Sequence, residues 1–248
     1  MTGVYLIYGL VDALRRRRLL LAYLVGLGAC LVMALGLAGR LFEAPVGQQL
    51  ILLTRNLQSL AYFPLSLLLG LFFGVDAAGE AVRPRWAYFG ATRTSGRLAY
   101  LLGRLLAAPA LALATLLLLA LTAGITLWAA TGSFYALILD AALLLLPGIV
   151  FTTTLGYLLR LHASPVFTVS VGFAVIALCF GLPFLWEPLS LVLPALLPLF
   201  DNHTALADFH AVSGYPFALV QLVGYSSVLA FFAFLRLGKL WFDDPLGG

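Results

Sequence analysis

Between Leu19 and Gly39 the chain runs for 21 residues without a charge, and similar apolar stretches recur to its end. Such runs constrain the fold more than any motif, because a helix of roughly 20 apolar residues crosses the roughly 30 Å hydrocarbon layer of a bilayer. Five further stretches qualify: about Leu57–Val75, bounded by Arg55 and Asp76; about Leu105–Ala129; about Phe134–Leu159, interrupted by Asp140 and Pro147; about Pro165–Trp186; and about Pro216–Leu235. Composition agrees. Of 248 residues 63% are hydrophobic and 10% charged, where a soluble domain has about 45–50% and about 25%. A chain of this size buries only about three-quarters of the surface it exposes unfolded. A water-soluble fold has no way to hide so much apolar surface. An ordinary soluble enzyme, a disordered chain and a nucleic-acid-binding module are excluded, and no nucleic-acid partner is expected.

Backbone polar groups within a bilayer must pair internally, which leaves helices or closed barrels. Barrels are written in short alternating segments, so the runs predict an all-α integral membrane protein of six transmembrane helices. Pro64, Pro147 and Pro183 predict kinks within spans. Cys30 and Cys179 lie inside apolar runs and point to neither a disulfide framework nor a metal cluster.

Lysine and arginine placement orients the bundle. Arg15, Arg16, Arg17 and Arg18 precede the first span, and Arg83, Arg85, Arg93, Arg97 and Arg104 lie between the second and third. Arg160 follows the fourth, and Arg236 and Lys239 follow the sixth. Twelve of the 14 basic residues thus fall on one side, with only Arg40 and Arg55 opposite. Both termini are expected to be cytoplasmic in a multi-pass protein of the inner (plasma) membrane. The first apolar run exceeds the roughly 7–15 residues of a signal-peptide core, so it reads as a retained helix.

Three segments outside the spans carry the functional signal. In residues 1–18, Val4, Ile7, Tyr8, Val11 and Leu14 recur at helical spacing before the arginine run, as in a helix lying in the membrane interface. Residues 76–104 open with Asp76-Ala77-Ala78-Gly79-Glu80. Within them Arg93, Arg97 and Arg104 share one helical face, with Leu98, Leu101, Leu102 and Leu105 opposite. That pattern suits a helix on the membrane offering its polar face to a soluble partner. Residues 187–215 hold an apolar run, Leu189–Phe200, that is too short to span and is broken by Pro194 and Pro198; such runs are re-entrant or interfacial.

Few residues inside the spans invite chemistry. Asp140 is the clearest anomaly, since an acid within a span is costly and faces a bundle interior or water. It is a candidate for the substrate path and equally for a solvated helix end. The hydroxyls of Ser59, Thr152, Thr153 and Thr154 and the amides of Gln58 and Gln221 suit bonds within or between helices. His203 and His210, with Asp201 and Asp208 nearby, are weak metal candidates, because their spacing matches no known ligand motif.

In this layout the chain resembles the permease subunits of type-2 ABC exporters. The resemblance rests on the arginine-closed entry helix, the six spans and the acidic-Gly-Glu start at Asp76 to Glu80. It also rests on Ser95-Gly96-Arg97, on Leu101-Leu102-Gly103-Arg104 leading into the third span, and on the apolar hairpin between spans five and six. One departure is Val82-Arg83-Pro84-Arg85-Trp86, where the family often has Gly-Thr followed by leucines. The resemblance implies that residues 1–248 form one permease domain, a passive half of a translocation pathway. It would pair with a second copy or a paralogue and with a dimer of cytoplasmic ABC ATPase subunits, which bind the ATP and Mg. An accessory extracytoplasmic protein is a further partner of the kind.

On this view Asp76, Gly79, Glu80, Arg83, Arg85, Arg93 and Arg97 face the ATPase, and Arg15 to Arg18 ride beside them. The chain itself has no glycine-rich phosphate loop ending in Gly-Lys-Ser/Thr, and Lys239 is its one lysine, so it is expected to carry no cofactor and to be no enzyme. The alternatives are a membrane-embedded enzyme, which would need several ionisable groups at one depth, and an assembly factor of a membrane complex.

Overall fold

The computed structural model describes residues 2–15, 17–41, 61–81, 94–131, 137–186, 188–189, 193–194, 196–207 and 215–243. Among these residues there is no β-strand, and nine α-helices account for nearly all of them. They are α1 (Thr2–Arg15), α2 (Arg18–Leu41), α3 (Phe63–Ala81), α4 (Thr94–Thr131), α5 (Leu137–Leu144), α6 (Leu146–Arg160), α7 (Pro165–Leu185), α8 (Leu196–Ala207) and α9 (Tyr215–Asp243).

Three of them are long and apolar enough to cross a membrane: Leu98–Thr126 of α4, Pro165–Pro183 of α7 and Tyr215–Leu240 of α9. Two shorter apolar helices, Arg18–Val32 and Phe63–Gly79, belong to α2 and α3. The outer surface is apolar along these elements: Leu24 and Val25 on α2, Leu118 and Ile125 on α4, Phe167 and Phe173 on α7, and Val220 and Phe231 on α9 are all exposed. Monomeric soluble proteins rarely expose apolar patches beyond a few hundred Å², so this surface fits lipid.

The centre is the pairing of α3 with α6. Ser66, Gly70, Gly74 and Ala78 recur every four residues and form a small-residue stripe down α3, while Gly148, Thr152 and Gly156 do the same on α6. All seven are buried. The Thr152 hydroxyl sits where a Gly70 side chain would be, and a Cβ on Gly156 would lie 2.7 Å from the Leu71 carbonyl oxygen. Without a hydrophobic driving force between helices in lipid, close backbone approach of this kind supplies the packing. Thr152 donates its hydroxyl to the Gly148 carbonyl at 3.0 Å, so the polar group is satisfied within its own helix. Around this pair, α4 packs on α3 and α6, α7 flanks both, and α9 covers the far side of α6, with the Phe151 and Tyr225 rings meeting edge to face at 6.5 Å.

Proline sets several helix boundaries. The predicted fourth span is two helices, α5 and α6, separated by a turn at Leu145, with Pro147 in the first turn of α6. Proline lacks the N–H that would bond back to the preceding turn, so it starts helices well and interrupts them. Pro64 is the second residue of α3, directly after a π-helical turn at Ala61 and Tyr62, and Pro165 opens α7 behind an extended Ser164. Pro183 lies inside α7, and Pro109 lies inside the continuous α4. The α6–α7 connection is closed by Arg160 donating from Nη1 to the Ala163 carbonyl at 2.7 Å.

The apolar run after α7 leads into α8, which packs on α5, α7 and α9. Leu196, Leu199 and His203 are fully buried along it. Phe200 joins Phe63 of α3 and Phe180 of α7 in an aromatic triad with centroid separations of 5.0, 5.4 and 5.6 Å.

Candidate functional site

Four charged residues, Asp12, Arg18, Asp76 and Arg104, converge where α1, the start of α2, the end of α3 and the start of α4 meet. The entry helix ends at Arg15 rather than Arg18. Arg17 takes φ = 55°, the left-handed region that L residues enter at a cost, and the chain turns there into α2. Arg18 is therefore the first residue of α2, and its guanidinium forms an ion pair with Asp76 on α3. Both side chains are about three-quarters buried (21% and 25% exposed). The pair ties the start of α2 to the end of α3.

Two glycines dock α1 onto α4. A Cβ on Gly103 would lie 2.5 Å from Tyr5 Cβ and 3.0 Å from the Leu6 nitrogen, and one on Gly9 would lie 2.9 Å from Ala107 Cβ. Between these contacts lies Arg104, only 4% exposed. Its guanidinium stands 5.2 Å from the Tyr8 ring centroid and 5.6 Å from that of Tyr100, while Tyr5 meets Tyr100 edge to face at 5.4 Å. Stacking on rings suits a planar, weakly hydrated cation. This corrects the expectation that Arg93, Arg97 and Arg104 share a face offered to a soluble partner: at Arg104 that face is covered by α1. Nor do the leucines form one uniform opposite face, since Leu101 is buried while Leu98 and Leu102 are exposed.

Asp12, Arg18, Asp76 and Arg104 together line a small cleft floored by Phe73, Ala108 and Leu111. It has room for a water-sized guest and not for a transported molecule. Two acids balance two bases there, so the cleft is a charge-neutral joint.

Of the other residues predicted to matter, Gly79 sits on the last turns of α3, with open space where its side chain would be. Glu80 and Arg97 are helical residues of α3 and α4, and Asp140 is one turn into α5; only their backbones are described. The predicted segment 76–104 thus begins as a continuation of α3 to Ala81 and ends as the first turns of the 38-residue α4. Arg16, Arg83, Arg85, Arg93 and His210 lie outside the described residues. His203 is buried in α8, and no group of three or more metal-ligating side chains occurs among the described residues. The sequence reading missed Asp12 and the burial of Arg104. The signal for both was Gly9 and Gly103, each one residue or one turn from a charge.

The fold and its surface define the class: a multi-pass helical membrane protein. Comparison of the chain with protein-family models, with curated proteins and with solved structures gives no match in any of the three.

Proposed function

We propose that the chain is the membrane permease subunit of an ATP-driven exporter of the type-2 ABC kind. In this reading six helices span, α5 with α6 making the broken fourth span. Both termini are cytoplasmic, and residues 187–215, which include α8, re-enter from the outer side. Two such subunits, or one and a paralogue, form the pathway, and a cytoplasmic ATPase dimer holding ATP and Mg drives it.

One observation carries the reading furthest. At the basic end, α1 is interlocked with α4 by close backbone contact, and α2 is tied to α3 by Arg18 and Asp76. Force applied there reaches three membrane-entering helices at once, which is what rigid-body coupling to a soluble motor requires. Gly79, Glu80, Arg83, Arg85, Arg93 and Arg97 face the ATPase in this scheme, while Asp76 holds the joint from within. Asp140, on α5, is the candidate pathway residue.

The test is co-expression with an ATPase subunit whose reading frame neighbours this one and carries a phosphate loop. The two should co-purify and hydrolyse ATP. Arg93→Gln combined with Arg97→Gln should lower that hydrolysis several-fold while leaving membrane insertion unchanged. Failure to co-purify, or full activity in the double variant, would remove the proposal's basis.

A further inference from the structure

We propose that α1 is a docking surface for anionic phospholipid headgroups, with Arg15 and Arg17 as the recognising cations. The inference is independent of the exporter reading.

The helix has two faces of opposite character. Gly9 and Ala13 are buried, and with Tyr5 they turn α1 toward the bundle. Val4, Ile7, Val11 and Leu14, three and four residues apart, are between 52% and 69% exposed on the other side. At 14 residues the helix is about 21 Å long, too short to cross. Water would not stabilise this stripe, so something apolar covers it.

Two observations choose lipid as that cover. Exposed apolar surface continues along the chain past the Arg17 corner to Leu20, Leu21, Leu24 and Val25, at the start of an apolar helix whose exterior stays exposed to Leu31 and Val32. The corner itself presents Arg15 and Arg17, both exposed and with no ion pair among the described residues, while the nearest acid, Asp12, is turned into the cleft. An apolar stripe bounded by solvated cations is complementary to an acyl-chain boundary beneath negatively charged headgroups. A protein helix seated on the stripe is the rival occupant.

The test uses the full chain in nanodiscs of phosphatidylcholine alone or of phosphatidylcholine mixed with phosphatidylglycerol. Hydrogen exchange is followed in residues 2–15. Each arginine close to an anionic surface is worth roughly fivefold in equilibrium, so exchange in α1 should slow by that order or more in the mixed discs. High salt should remove the difference, since exposed charges are screened beyond about 3 Å at 1 M. Arg15→Gln with Arg17→Gln should exchange alike in both lipids, with α4 unchanged as the internal control. Val4→Ser with Val11→Ser should exchange faster in both. Equal α1 exchange of the native chain in the two lipids would overturn the proposal. So would a lipid difference that persists in the arginine variant. Unaltered exchange in the valine variant would do the same, placing the stripe against a protein or in water.

Discussion

A side-chain carbon on Gly74 would collide with the carbonyl oxygen of Thr153 in the facing helix. The obstacle is backbone, so it cannot swing aside as a flexible side chain would. The α3–α6 pair therefore has a fixed minimum separation, and the rest of the bundle is assembled around it.

Gly74→Ala is expected to force α3 and α6 apart and to destabilise the protein by about 1–3 kcal/mol, the usual cost of overpacking. Gly224→Ala and Gly28→Ala are the matched controls, since nothing lies within 4 Å of a Cβ at either site. There the helix-propensity gain, about 0.5–1 kcal/mol in water, should make the change neutral or mildly stabilising. Thermal unfolding of the three variants in one detergent checks the contrast, and equal losses at all three positions would count against the close-contact account.

Arg104 should be irreplaceable by lysine. Its guanidinium lies over two tyrosine rings in a site only 4% exposed, and an ammonium cannot stack in that way. Arg104→Lys is expected to loosen α1 by about 1–2 kcal/mol, the scale of desolvated cation–π contacts. The measurement is proteolysis or thiol labelling of a cysteine placed at Thr2, which should accelerate while labelling within α9 stays constant. Tyr8→Leu should give a similar but smaller effect.

The long apolar runs were legible because membrane crossing demands length above all. The observed α7 starts and ends within a residue of the expected fifth span, and Pro165 marks its start. The stripes Ser66-Gly70-Gly74-Ala78 and Gly148-Thr152-Gly156 were equally present in the sequence, yet a reading by hydropathy passes over small residues. Arg104 was misplaced for a different reason. Spacing of i, i+4 and i+11 says which residues share a face, not what lies opposite it, and here the cover comes from α1, some 90 residues earlier in the chain. The break at Leu145 shows the same limit, since an apolar run does not state that its helix is continuous.

Phe200 is expected to anchor α8. Its ring touches Phe63 and Phe180 at the ends of two helices distant in sequence. Phe200→Ala should cost about 3 kcal/mol, the low end for removing a packed phenylalanine, because the ring is only partly buried. Phe200→Leu should recover much of the volume and about half of the loss. Hydrogen exchange of residues 196–207 locates the effect, and it should rise there before the rest of the bundle opens.

The joint between Arg18 and Asp76 allows a cleaner measurement than any single substitution. Removing either partner leaves the other side chain three-quarters buried without that contact, so each single loss includes a desolvation cost as well as the bond. Arg18→Gln and Asp76→Asn should each destabilise the protein, and the combined variant should do so by less than their sum. A coupling of about 1–3 kcal/mol is expected, above the roughly 0.2–1 kcal/mol of exposed pairs and below the cost of breaking a fully buried one. If the joint transmits force between α2 and α3, the combined variant should also fold and insert while any partner-driven activity falls. Additive losses in unfolding would mean that the two side chains act independently, and the mechanical role drawn from their contact would go with them.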